Sequence, residues 1–103
     1  MKNRLIIQNG KVIFPDKIME HLTVVVKNGK IAGIVNKNEF ILAGNDVVID
    51  ADNRYVAPGF IDIHTHGGGG HDFMDGTVEA YLGAAETHAR FGTTALLPTT
   101  LTS

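Results

Sequence analysis

Two histidines separated by one residue, His64-Thr65-His66, are the side chains whose type and spacing point most directly to chemistry. They close the run Phe60-Ile61-Asp62-Ile63-His64-Thr65-His66, whose isoleucine content and alternation predict a β-strand. Alternate residues of a strand share a face. Both imidazoles therefore project to one side with Asp62 behind them, while Ile61 and Ile63 face the other way. At about 3.3 Å per residue the two Cα atoms lie roughly 6.6 Å apart, close enough for the rings to converge on one cation. The sequence has no cysteine, so a metal here is held by nitrogen and oxygen donors. Asp62 is a candidate to brace a ligand through a hydrogen bond. The plainer alternative is a pair of satisfied polar residues at a strand end, because an isolated His-x-His arises often by chance.

The residues that follow widen the candidate site. Gly67-Gly68-Gly69-Gly70 breaks regular structure, either as a plain connection or because missing side chains let a substrate or metal approach the backbone. It is not a phosphate loop: no Gly-Lys-Ser/Thr follows, and Asp72 or Phe73 stands where a dinucleotide fingerprint needs its third glycine. Asp72 and Asp75 are candidates to contact substrate or brace the histidines, with turn and cap roles as the alternative. His71 reads as a solvated loop residue. His88, late in a predicted helix, reads as structural, and His21 has no acidic or histidine partner at ligand spacing.

Two stretches of different character must position these residues. Residues 1–57 read as a small antiparallel β-domain, a partial β-sandwich. Leu5-Ile6-Ile7 and Val12-Ile13-Phe14 flank Asn9-Gly10, and Thr23-Val24-Val25-Val26 and Ile31-Ala32-Gly33-Ile34-Val35 flank Asn28-Gly29. Asn-Gly supplies the positive φ angles of tight turns, so both pairs predict hairpins. Val47-Val48-Ile49 is a further strand. After Pro58-Gly59 the pattern becomes strand, loop, helix, strand. The helix runs from about Thr77, its N-cap, to Phe91, with Gly92 as its stop. Its apolar stripe is Val78, Tyr81, Leu82, Ala85 and Ala89, and Thr93-Thr94-Ala95-Leu96-Leu97 is the second strand. This is a βαβ unit with a parallel sheet, giving an α/β class for residues 58–103. Two parallel strands cannot cover both their faces, so the sequence reads as cut rather than finished.

Composition sets the limits. The 103 residues are 44% hydrophobic and 19% charged with a net charge of −2, which gives no electrostatic case for nucleic acid or an anionic membrane. Residues 1–30 hold six Lys/Arg against two acids, and residues 31–103 hold three against nine. That asymmetry fits either two solvated faces or a cation-binding second half. No apolar run approaches the roughly 20 residues of a membrane span, and Met1 to Gly10 lack a signal-peptide pattern, so a cytoplasmic protein is expected.

Val56-Ala57-Pro58-Gly59-Phe60-Ile61-Asp62-Ile63-His64-Thr65-His66 resembles the signature of the amidohydrolase superfamily, in which such a run forms the first barrel strand. Gly67 to Gly70, Asp72-Phe73-Met74-Asp75-Gly76-Thr77 and Gly92-Thr93-Thr94 leading to Leu97-Pro98-Thr99-Thr100 resemble the N-acetylglucosamine-6-phosphate deacetylases in particular. The resemblance implies that residues 58–103 begin a TIM-type (β/α)8 barrel of roughly 250 residues, truncated here, with residues 1–57 as part of its small β-domain. It implies hydrolysis of the N-acetyl group of N-acetylglucosamine-6-phosphate and a homo-oligomer, a dimer, as the parent state. It makes His64 and His66 two ligands of a divalent metal, Zn or Fe(II), in one or two ions, with Asp62, Gly67, Asp72 and Asp75 as second-layer or substrate-loop residues. The catalytic Asp and remaining ligands fall outside this sequence. Another amidohydrolase, of dihydroorotase, hydantoinase or deaminase type, is the first alternative. A non-catalytic fragment or assembly module is the second, and the 103 residues alone are expected to be inactive.

Overall fold

The structure is a computed structural model and describes residues 3–101. The chain divides after Ala57 into two compact units.

In the first unit, β1 (Leu5–Gln8), β4 (Leu22–Lys27), β5 (Lys30–Asn36) and β6 (Val47–Asp50) form a four-stranded sheet in the order β5-β4-β1-β6. Short strands β2 (Lys11–Ile13), β3 (Ile18–Met19) and β7 (Tyr55–Val56) form a second sheet in the order β3-β2-β7. The Asn28-Gly29 hairpin forms as the sequence predicts. Asn28 and Gly29 take φ of 54° and 73° and join β4 to β5 through the pair Lys27↔Lys30, the two left-handed residues of a type I′ turn.

The second expected hairpin does not form. Asn9 does take a left-handed φ of 61°, but β1 and β2 enter different sheets. The edges of β1 are taken by β4, antiparallel, and by β6, parallel. β2 in turn pairs with β3, antiparallel, and β7, parallel. Two segments thus run side by side from one sheet to the next, each turning on left-handed residues: Asn9 in one, Asp52 and Asn53 (φ 48° and 64°) in the other. Gly10 is required by packing, since a Cβ there would collide with Val56 and lie 3.1 Å from Ala51. The small β-domain is therefore mixed rather than purely antiparallel. Its core is Ile6, Val12, Thr23, Val24 and Val25, all buried. Ile6 and Val25 lie opposite each other, and burial of three successive residues on β4 means both of its faces are covered.

The second unit is strand–helix–strand. β8 (Phe60–Thr65) pairs in parallel with β11 (Thr93–Pro98), and α1 (Val78–Arg90) connects them. Thr77 caps the helix, its hydroxyl accepting the Ala80 N–H at 3.1 Å. Gly92, at φ 99°, lets the chain leave. Between β8 and α1 the glycine run is not an irregular loop. It forms a two-stranded hairpin, β9 (Gly67–Gly68) with β10 (His71–Asp72), turned by Gly69 and Gly70 at φ 58° and 82°.

That hairpin decides which side of α1 is covered. The buried helical residues are Ala80 and Ala84, whereas Val78 and Leu82 of the expected stripe are 74% and 65% exposed. The hairpin lies so close to α1 that only small groups fit between them. A side chain at Gly69 would strike Thr87, and one at Gly83 would strike the His71 ring. Ile61 and Ile63 on the outer side of β8 are also exposed, as a two-stranded parallel sheet leaves them.

Candidate functional site

His64 is the penultimate residue of β8 and His66 follows directly after it. Both are exposed. Their ring centroids are 5.1 Å apart with the planes at 81°, so the two imidazoles stand side by side on one face, as the period of a strand dictates. Thr65 between them points the opposite way and is buried.

The backbone carrying this pair is held from four directions. On the near side, the Asp62 carboxylate accepts the His64 N–H at 3.1 Å. Beyond it, three successive carbonyls are each taken by a different element. The Thr99 N–H, just past β11, donates to Thr65 O at 2.7 Å, and the Phe73 N–H donates to His66 O at 2.9 Å. The Gly67 carbonyl accepts from the Thr65 hydroxyl at 3.1 Å and lies 2.9 Å from His88 Nε2.

Phe73 is 1% exposed and stacks on Tyr81 with centroids 5.3 Å apart. It opens a short 3-10 turn, Phe73–Asp75. Here the two carboxylates of the loop find their partners. Asp72 Oδ1 accepts the Met74 N–H at 2.8 Å, and Asp75 Oδ2 faces the Asp72 N–H at 3.4 Å, a reciprocal capping arrangement. Asp72 and Asp75 thus shape the turn that aims Phe73 at His66. Gly67 is needed because a Cβ there would collide with the His71 carbonyl oxygen. His71 is not solvated as the sequence predicts but half-buried, its ring lying against Gly83.

The sequence pattern alone missed His88 and Phe73 as supports of the pair. A signal existed for His88: it follows Ala80 and Ala84 at four-residue intervals, on the face of α1 where side chains are smallest. His21 lies in the first unit, lining a polar cleft with Asn9, Lys37, Asp50 and Asp52. Three side chains of that cleft, Lys37, Asn9 and Asp50, are bonded in a chain. Lys37 Nζ donates to Asn9 Oδ1 at 2.7 Å, and Asn9 Nδ2 donates to Asp50 Oδ1 at 3.2 Å. The Asp52 N–H donates to the same Asp50 oxygen, and these bonds hold the Asp50 carboxyl below its usual range.

Two exposed, adjacent imidazoles fit a divalent cation in donor type and placement. Among the described residues, no group of three or more His, Cys, Asp or Glu side chains converges to hold one. His64 and His66 thus offer two donors, fewer than a closed metal site needs. No helix of the described residues is long and apolar enough to cross a membrane.

Residues 47–98 match the profile described as the Amidohydrolase family. A dihydroorotase of Aquifex aeolicus is 47% identical over 64 residues, covering 61% of this chain and 14% of that protein. An N-acetylglucosamine-6-phosphate deacetylase of Lysinibacillus sphaericus is 35% identical over 98 residues, covering 95% of this chain and 24% of that protein. The crystal structure of N-acetylglucosamine-6-phosphate deacetylase from Pasteurella multocida superposes with a TM-score of 0.85 at 29% identity, over 97% of this chain and 26% of that one. The chain thus spans between 14% and 26% of the length of these relatives.

Proposed function

Because the chain belongs to the amidohydrolase family, we propose that it carries two metal ligands, His64 and His66, of a hydrolase that deacetylates N-acetylglucosamine-6-phosphate. The observation that carries this reading is the ring pair itself: two exposed imidazoles, 5.1 Å apart, at the C-terminal end of a strand of a parallel pair. α/β barrels build their active sites at that end. The choice of a sugar deacetylase rests on extent. Similarity to the deacetylases runs over 95% of the chain, including the first unit, whereas similarity to the dihydroorotase covers 61%.

In the proposed reaction the amide C–N bond of the acetamido group breaks and a C–O bond to a water oxygen forms. Acetate leaves, and a proton passes to the departing amine. A divalent ion, Zn or Fe(II), held in one or two copies, supplies Lewis acidity and a nucleophile available at neutral pH. This chain's residues supply the aim. Asp62 fixes the His64 amide, and Phe73 and Thr99 fix the carbonyls of His66 and Thr65. Asp72, Asp75 and Gly67 act through the loop that presents Phe73. The remaining ligands and the proton-carrying carboxylate belong to other parts of the protein, so residues 1–103 alone are inactive. The β-strand unit 1–57 belongs with the small β-domain and residues 58–103 with the start of the barrel. The working state is a cytoplasmic homodimer acting on a small-molecule sugar phosphate.

The experiment is an acetate-release assay of the full-length protein reconstituted with Zn or Fe(II). Turnover of N-acetylglucosamine-6-phosphate is expected, falling at least about 100-fold when His64 and His66 are both replaced by Asn. The dihydroorotase identity favours a second reading, a ring-opening cyclic amidase. Turnover of dihydroorotate without turnover of the sugar phosphate would select it.

A further inference from the structure

We propose that His88 is a positioning residue that locks the peptide between Gly67 and Gly68, directly after His66, from behind the strand, and that its Nε2 carries the ring hydrogen. This rests on the reading of His64 and His66 as a metal pair. His88 Nε2 lies 2.9 Å from Gly67 O and 3.2 Å from Thr65 Oγ1, and the Thr65 hydroxyl donates to the same Gly67 oxygen at 3.1 Å. Three polar atoms thus form a closed triangle, and their chemistry leaves one arrangement of hydrogens. A carbonyl only accepts, and the Thr65 hydrogen is spent on it. A bare Nε2 would set its lone pair against the carbonyl lone pairs at hydrogen-bond distance. Nε2–H is therefore the donor, and Gly67 O accepts twice.

The location gives this triangle its effect. Thr65 is 7% exposed and points away from the two imidazoles, so His88 grips the strand on the side opposite the proposed ion. Gly67 and Thr65 are the neighbours of His66 on either side. Holding the oxygen of one and the hydroxyl of the other fixes the backbone orientation of His66 without occupying its ring. A side chain at Gly68 would bring its Cβ to 3.0 Å from His88 Nε2, so the glycine hairpin is what admits the His88 ring to this position. Groups that orient metal ligands typically change metal affinity by about 10–100-fold when removed.

The test is metal binding by the full-length protein, measured by chelator competition with Zn and by the visible spectrum of the Co(II) form. His88→Leu, which removes the donor but keeps an apolar filler, is expected to weaken Zn binding about 10–100-fold and to alter the Co(II) bands. His88→Gln places an amide N–H at the reach of Nε2 and is expected to restore most of the affinity. His88→Asn reaches only the Nδ1 position and is expected not to. The Gln and Asn contrast applies even if the Leu variant does not fold. Equal affinity in wild type, Gln and Asn variants overturns the proposal, as does a Leu variant that loses denaturant stability but binds Zn as wild type. His64→Asn and His66→Asn, made alongside, separate this from the underlying reading. If they leave Zn binding intact, the metal pair itself is wrong. If they abolish binding while the His88 variants do not, only the role of His88 is wrong.

Discussion

The main-chain N–H of Phe73 donates to the carbonyl of His66 at 2.9 Å, tying a buried aromatic anchor to the second histidine of the pair. The aromatic ring is fixed by burial and by stacking on Tyr81, and the turn that presents its amide is shaped by Asp72 and Asp75. The backbone of the exposed His66 is thereby placed by a residue whose own side chain is buried against Tyr81.

Replacing Phe73 by Ala is expected to cost about 3–5 kcal/mol of stability in the second unit, the usual range for emptying a buried aromatic position. Asp72→Ala, which removes the carboxylate bond to Met74 N, is expected to cost about 0.5–2 kcal/mol. Denaturant unfolding of the full-length protein followed by amide exchange in α1 measures both. An Asp72 variant at full stability that loses substrate affinity would assign that carboxylate to substrate instead of to the turn.

The two glycines of the β9–β10 turn separate backbone strain from contact. Gly70→Ala meets open space and pays only for its left-handed φ, about 1–2 kcal/mol. Gly69→Ala carries the same kind of strain and also collides with Thr87. It is expected to be the worse by at least about 1 kcal/mol, with most of that excess recovered in the Gly69→Ala, Thr87→Ala double variant. Equal destabilisation by the two single variants would mean that the hairpin does not sit on α1 as described.

Acid sensitivity of the first unit follows from Arg4 and Asp46. The guanidinium donates through Nε and a terminal nitrogen to the two carboxylate oxygens at 2.9 and 2.7 Å, and it also lies over the Phe40 ring. The hydrogen bond from Arg4, then the Ala43 N–H, holds the Asp46 carboxyl below its ordinary value of 3.8. A carboxyl lowered on folding contributes stability that is fully present above that ordinary value and is lost as pH falls through the folded one. Urea midpoints of wild type and Asp46→Asn are therefore expected to differ at pH 6 and to converge as pH drops below 3.8. A gap that persists unchanged at pH 2 would show that the pair is not responsible.

What the sequence determined by itself is local. Period two put both imidazoles on one face of a strand. Asn28-Gly29 made a type I′ hairpin because two adjacent left-handed residues match strand twist, and Thr77 and Gly92 bounded a helix by satisfying and releasing its ends. Each of these is settled by a few neighbouring residues. Tertiary structure alone decided who sits beside whom. Asn9 adopted its turn-forming backbone, yet no hairpin followed: both edges of β1 are taken, by β4 and by the distant β6. The glycine run became a hairpin pressed on α1, which buried Ala80 and Ala84, half-buried His88 one turn further on, and left Val78 and Leu82 outside. With that choice His88 came to the back of the strand bearing His64 and His66. Backbone preference is encoded residue by residue, but burial and pairing depend on surfaces brought together from far apart in the chain, and no short window of sequence contains both halves of such a contact.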